Sequence, residues 1–195
     1  SIPSFGLRRE GTWQALAAIE SLFSWTEHIL IHIAILNGRI TTGTDVANLA
    51  GSDWADKFKL ALPITDKETK VLFDKLVIIR RQLRNAVAHG AFGKQGEAFQ
   101  FHSSAGAVPL LLPHKAVKNT FRFGTGVDFV DEDAIRTLEE FVDHLWSGQR
   151  APAKLYIQDS GLPLILTLAK DGTYARAMSS SDDMNEFLDY LGHQF

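Results

Sequence analysis

Between residues 12 and 36 the apolar positions recur at helical spacing: Trp13, Leu16, Ile19 or Leu22, Phe23, Ile29, Leu30 and Ile33. That pattern predicts a long amphipathic helix. Asn37-Gly38 should stop it with a left-handed cap. A second, shorter helix is predicted over 44–62, capped by Thr44 or Asp45, interruptible at Gly51-Ser52 and ended by Pro63. A third starts at Thr65 or Asp66, carries Val71, Leu72, Leu76, Ile79, Leu83 and Val87 on one face, and ends at Gly90. A fourth covers 132–146, with Ile135, Leu138, Phe141, Val142 and Leu145 on one face. Short connections between such helices predict an antiparallel bundle.

Two stretches break this pattern. Residues 91–130 are rich in Gly, Phe and Val, which predicts a β-hairpin or small sheet inserted in the bundle. Phe121 and Phe123 alternate with Arg122, a pattern that fits one buried strand face better than a base-stacking platform. Residues 147–152 read as a linker. Beyond it the pattern predicts strands at 155–158, 162–168 and 173–178, with turns at 159–161 and 171–172, then a helix over 182–191 capped by Ser181. The expected fold is therefore mainly α. It has a helical domain over 1–147, with the β insertion at about 91–130, and a small β-β-β-α appendage at 153–195.

Composition narrows the chemistry. The 195 residues include no cysteine, which removes disulfide frameworks, cysteine nucleophiles, zinc-thiolate sites and iron–sulfur clusters together. No apolar run is expected to approach the ~20 residues of a membrane helix, and the chain does not open on a signal-peptide pattern. The expectation is an intracellular, cytoplasmic protein with no membrane partner. There is no Gly-x-Ser-x-Gly elbow, phosphate loop or Gly-x-Gly-x-x-Gly.

The net charge of −3 hides an asymmetry. Residues 1–114 carry 12 Lys+Arg against 10 Asp+Glu, whereas 115–195 carry 8 against 13. From 75 to 96 the charged residues are all basic: Lys75, Arg80, Arg81, Arg84 and Lys94. Screening confines distant charge to about 10 Å, so such a run can hold phosphates on an acidic chain.

At the end of the third predicted helix stands Leu83-Arg84-Asn85-Ala86-Val87-Ala88-His89-Gly90. Arginine grips phosphate with a flat, permanently charged fork. Histidine moves protons near neutral pH. RNA cleavage needs a base for the ribose 2′-OH or an acid for the leaving oxygen, and a cation for the charged phosphorane. RNA supplies its own nucleophile, so the reaction requires no metal. Five residues at 100° each put Arg84 and His89 about 140° apart on an ideal helix. Asn85 and His89, four apart, share a face. A two-fold dimer would bring two such helix ends together.

The segment resembles the HEPN superfamily, whose signature is Arg-x4-6-His, very often Arg-Asn-x-x-x-His. The resemblance covers 1–147, and its specific part is 80–90. The run Asp53-Trp54-Ala55-Asp56-Lys57-Phe58-Lys59-Leu60 is similar to the aromatic-x-Asp-Lys segment often found on the preceding helix of these proteins. The resemblance implies a helical bundle and a homodimer. In active members it implies metal-independent endoribonuclease activity, frequently in toxins or antiviral effectors that act beside an antitoxin or partner protein. It makes Arg84, Asn85 and His89 the catalytic set, while the basic run itself offers Arg80, Arg81 and Lys94 as candidates to bind RNA phosphates. The alternative is a non-catalytic HEPN module that binds RNA, a nucleotide or a partner protein.

Other polar residues rank below that set. Glu20, Ser24 and Glu27 share the polar side of the first helix, and Glu27 or Glu20 is a candidate to orient Arg84 or His89. His28 and His32 have the i, i+4 spacing of a metal pair, but the His-Glu-x-x-His order is absent and no third ligand is assignable. Neither a metal nor another cofactor is expected.

Overall fold

The computed structural model describes residues 2–89, 98–103, 106–111, 122–123 and 131–193, with side chains described for 14, 16–81 and 133–193. The described chain is mainly α-helical. It divides into two compact units, one of Ser1–Glu20 and Asp74–Thr137, the other of Ser21–Phe73 and Leu138–Phe195.

Helix α1 runs over Ile2–Leu36. It ends where the sequence places its stop. Gly38 takes φ +64°, its N–H donates to the Ile35 carbonyl at 2.9 Å, and the Arg39 N–H donates to the Ala34 carbonyl at 2.8 Å. Those two bonds are a Schellman closure, which a Cβ at Gly38 would strain. The stretch Leu16–Leu36, 21 residues, is long and apolar enough to cross a membrane by length and composition, which corrects the expectation that no run approaches that length. Half of that window is buried within the structure. Ser21, Ser24 and His28 keep an exposed polar stripe on it, as a core helix does.

The expected helix over 44–62 is two helices, α2 (Gly43–Ala50) and α3 (Trp54–Ala61). The break falls at Gly51-Ser52, and Asp53 takes an extended conformation ahead of α3. Thr42 caps α2. Its hydroxyl accepts from the Asp45 N–H at 3.2 Å and donates to the Asp45 carboxylate at 2.7 Å, satisfying an otherwise orphaned amide. Helix α4 covers Lys67–His89. Asp66 caps it, accepting the Thr69 N–H at 2.8 Å. On α4, Leu72, Leu76 and Ile79 are buried as the spacing predicts, while Val71 is exposed.

Three short strands follow: β1 (Ala98–Ser103), β2 (Gly106–Leu111) and β3 (Arg122–Phe123), paired antiparallel in the order β1-β2-β3. The remainder of 91–130 lies outside the described residues, so an inserted β unit within a bundle is not established by these segments.

Helix α5 covers Asp131–Leu145 and buries Ala134, Leu138, Phe141 and Leu145. The predicted linker is instead ordered helical backbone. A 3-10 turn at Gly148–Arg150 leads into α6 (Ala151–Lys154), and Pro152 and Ala153 are buried. Arg150 donates from Nε to the Leu145 carbonyl at 3.2 Å and from its terminal nitrogen to the His144 carbonyl at 2.6 Å. These carbonyls are the acceptors that the end of α5 leaves open.

The predicted C-terminal strands are overturned. Residues 155–159 form a π-helical turn, followed by α7 (Leu166–Lys170), α8 (Thr173–Ala177) and α9 (Ser181–Gly192). Gly161 and Gly172 take the positive φ of turn glycines, +65° and +79°, but their flanks coil and Asp159 belongs to the π-helical turn. Short apolar runs have too few residues to separate a period of 2 from one of 3.6. Here burial settles the choice. Tyr156, Tyr174 and Phe187 bring their rings together, with Tyr156 and Tyr174 centroids 5.3 Å apart and edge-on. The Ile165 N–H donates to the Tyr174 hydroxyl at 2.8 Å, and the Tyr156 hydroxyl donates to the Pro163 carbonyl at 2.8 Å. Tyr156 has only that one proton to give, so the 3.0 Å bond between the hydroxyls is donated by Tyr174.

The unit containing these helices has a second aromatic cluster. Trp54 meets Phe23 edge-on at 5.3 Å, and Phe58 lies 5.0 Å from Phe73 and 5.7 Å from Phe141. Each such pair adds about 0.5–1.5 kcal/mol beyond area burial.

Candidate functional site

The Arg-Asn-x-x-x-His segment occupies the last turns of α4, whose helical backbone continues through Arg84 and Asn85 to His89. The side chains of these three residues lie outside the described ones, and so does Lys94 altogether. Upstream on the same helix Arg80 is half-buried and Arg81 exposed. Glu20 is exposed on α1.

Glu27, a candidate to orient Arg84 or His89, forms an ion pair with Lys57. Its carboxylate meets the Lys57 ammonium at 2.9 Å. Lys57 is 3% exposed, an unusual place for an ammonium unless it is paired. It lies in the run that resembles the aromatic-x-Asp-Lys segment. The signal for its burial was in the sequence. Trp54, Lys57, Phe58 and Ala61 follow helical spacing, so Lys57 stands on the apolar face of α3. Its neighbour Trp54 donates from Nε1 to the Thr26 hydroxyl at 2.9 Å, and Thr26 donates to the Phe23 carbonyl at 2.8 Å.

A second polar cluster escaped the sequence reading. His144, near the end of α5, places Nε2 2.7 Å from the Thr69 hydroxyl and Nδ1 3.7 Å from the Glu68 carboxylate. Burial holds the imidazole below its ordinary pKa, and the Arg150 cation adds to this, against the opposing pull of Glu68 and Asp66. The Thr69 N–H bond likewise holds the Asp66 carboxyl below its usual range. Hydroxyl, imidazole and carboxylate stand in the order of an activated nucleophile. Thr69 is 1% exposed, however, which denies its oxygen to a substrate. The cluster ties the first turn of α4 to the last turn of α5. Only folding brings residues 75 positions apart into contact, so no local spacing announced it.

On α1, His28 is exposed and His32 half-buried. Burial lowers the His32 pKa, and the neighbouring His28 lowers it further. Among the described residues no group of three or more His, Asp or Glu side chains is placed to hold a metal ion.

No protein-family model matches the chain, no curated protein matches its sequence, and no solved structure matches its fold.

Proposed function

We propose that this chain is a metal-independent endoribonuclease of the HEPN type, with Arg84, Asn85 and His89 as its cleavage residues. One observation carries the reading: the Arg-Asn-x-x-x-His segment stands on unbroken helical backbone at the end of a 23-residue helix. His89 takes the proton from the ribose 2′-OH, the 2′-oxygen attacks phosphorus to form the 2′,3′-cyclic phosphate, the P–O5′ bond breaks, and the departing 5′-oxygen takes a proton from water to leave as a 5′-OH. Arg84 offsets the charge of the phosphorane with its planar fork. Asn85, one turn from His89, orients the imidazole. Arg80, Arg81 and Lys94 hold flanking phosphates. The functional form is a homodimer that joins two helix ends, since Arg84 and His89 positions diverge by about 140° on one helix. The helical bundle over 1–147, with its β unit at 91–130, is part of this reading. So is a role as a toxin or antiviral effector with a protein partner.

The test is incubation of the purified chain with RNA in EDTA, beside the Arg84→Ala/His89→Ala double variant. Cleavage that persists in chelator and leaves 2′,3′-cyclic phosphate or 3′-phosphate ends is the expected result. Loss of cleavage on chelation, cutting of DNA as well, or an active double variant would overturn the reading.

A further inference from the structure

We propose that His28 and His32 form a two-ligand site for a divalent transition-metal ion on the outer face of α1. The two residues are four apart on continuous helix. That spacing separates them by about 6 Å along the axis and only about 40° around it. Their rings therefore leave the same face, where Cβ atoms are about 5–6 Å apart and two imidazole nitrogens can converge on one ion. Metal–nitrogen bonds of about 2.0–2.1 Å suit that span.

His28 is exposed and His32 half-buried, so one ring is open to solvent and the other is partly fixed. No hydrogen bond or ion pair to either ring is present among the described residues, in contrast to His144, whose two nitrogens face Thr69 and Glu68. Neutral imidazole is the ligating form. The helix supplies two ligands and no carboxylate, which leaves the other positions to water. Such a donor set favours Cu²⁺ over Ni²⁺ and Zn²⁺ and gives Mg²⁺ and Ca²⁺ nothing they prefer. The pair is not among the residues assigned to RNA cleavage. EDTA should empty this site without stopping that reaction, so the two readings fail independently.

The experiment is titration of the full chain with Cu²⁺, Ni²⁺ and Zn²⁺ followed by calorimetry, and with diamagnetic Zn²⁺ followed by the imidazole NMR signals. The expected result is one ion per chain with selective shifts of the His28 and His32 signals. Affinity should fall on acidification, because protons compete with the ion for the rings. His28→Gln alone should weaken binding by at least about tenfold, a scale that even the outer partners of metal ligands reach. His28 is exposed, so this variant keeps the fold, and circular dichroism checks that. His193→Gln should leave binding unchanged. No binding, or binding that His28→Gln and His32→Gln both leave intact, overturns the proposal.

Discussion

The Lys57 ammonium, almost wholly buried on α3, meets the Glu27 carboxylate of α1 at 2.9 Å. Glu27 is partly exposed and can keep some of its hydration, whereas Lys57 cannot. The pair is therefore unequal. Glu27→Gln should leave a buried cation without its counter-charge and cost about 1–3 kcal/mol. Lys57→Met should cost less, because the thioether chain follows the same apolar path and removes the charge that needs pairing. Urea denaturation of both variants measures the difference. Equal losses would show that packing, not the ion pair, sets the cost.

Trp54 and Thr26 make a sharper local test. Thr26→Val preserves shape but removes the Thr26 acceptor for the indole N–H, and loss of that buried bond should cost about 1–3 kcal/mol. Thr26→Ser keeps the oxygen and should lose less. Chemical denaturation ranks the two, and indole N–H exchange in Thr26→Val should quicken.

Acid should destabilise the unit that contains His144. Its folded pKa lies below the ordinary value of 6.5, and that of His32 does too. Between the lowered values and 6.5 the unfolded chain binds more protons than the folded one, so stability rises with pH across that window. It is fully present above about 6.5 and is lost as the pH falls toward the folded values. His144→Asn should flatten part of this dependence in melts between pH 5 and 7.5. An unchanged slope would place the titration elsewhere.

Within the proposed cleavage motif, His89→Ala should abolish most RNA cleavage with little loss of stability, because a helix-end histidine contributes about 0.3–1 kcal/mol through the dipole. Arg84→Lys should be strongly impaired as well, since lysine keeps the charge without the bidentate fork. Asn85→Ala should be milder. The wild-type rate should fall in acid, as a general base becomes protonated. Full activity in folded Arg84→Lys and His89→Ala would place the chemistry outside the motif.

What the sequence determined by itself was local. The stop at Asn37-Gly38 and the Asp66 cap are legible because a cap is chosen by residues within one turn of it. The apolar faces of α4 and α5 follow from spacing, because a helix of more than a dozen residues repeats its period often enough to be read. The Arg-Asn-x-x-x-His segment is also a sequence feature, carried by residue types within six positions. Tertiary structure decided the rest. The segments 155–159 and 173–177 coil where the fold brings Tyr156 and Tyr174 together, buries both rings and satisfies both hydroxyls. Runs of five residues hold no period strong enough to compete with that burial. The same holds for Lys57 with Glu27 and for His144 with Thr69. Each pair depends on side chains at least 30 positions apart meeting out of water, and only the folded chain brings them there.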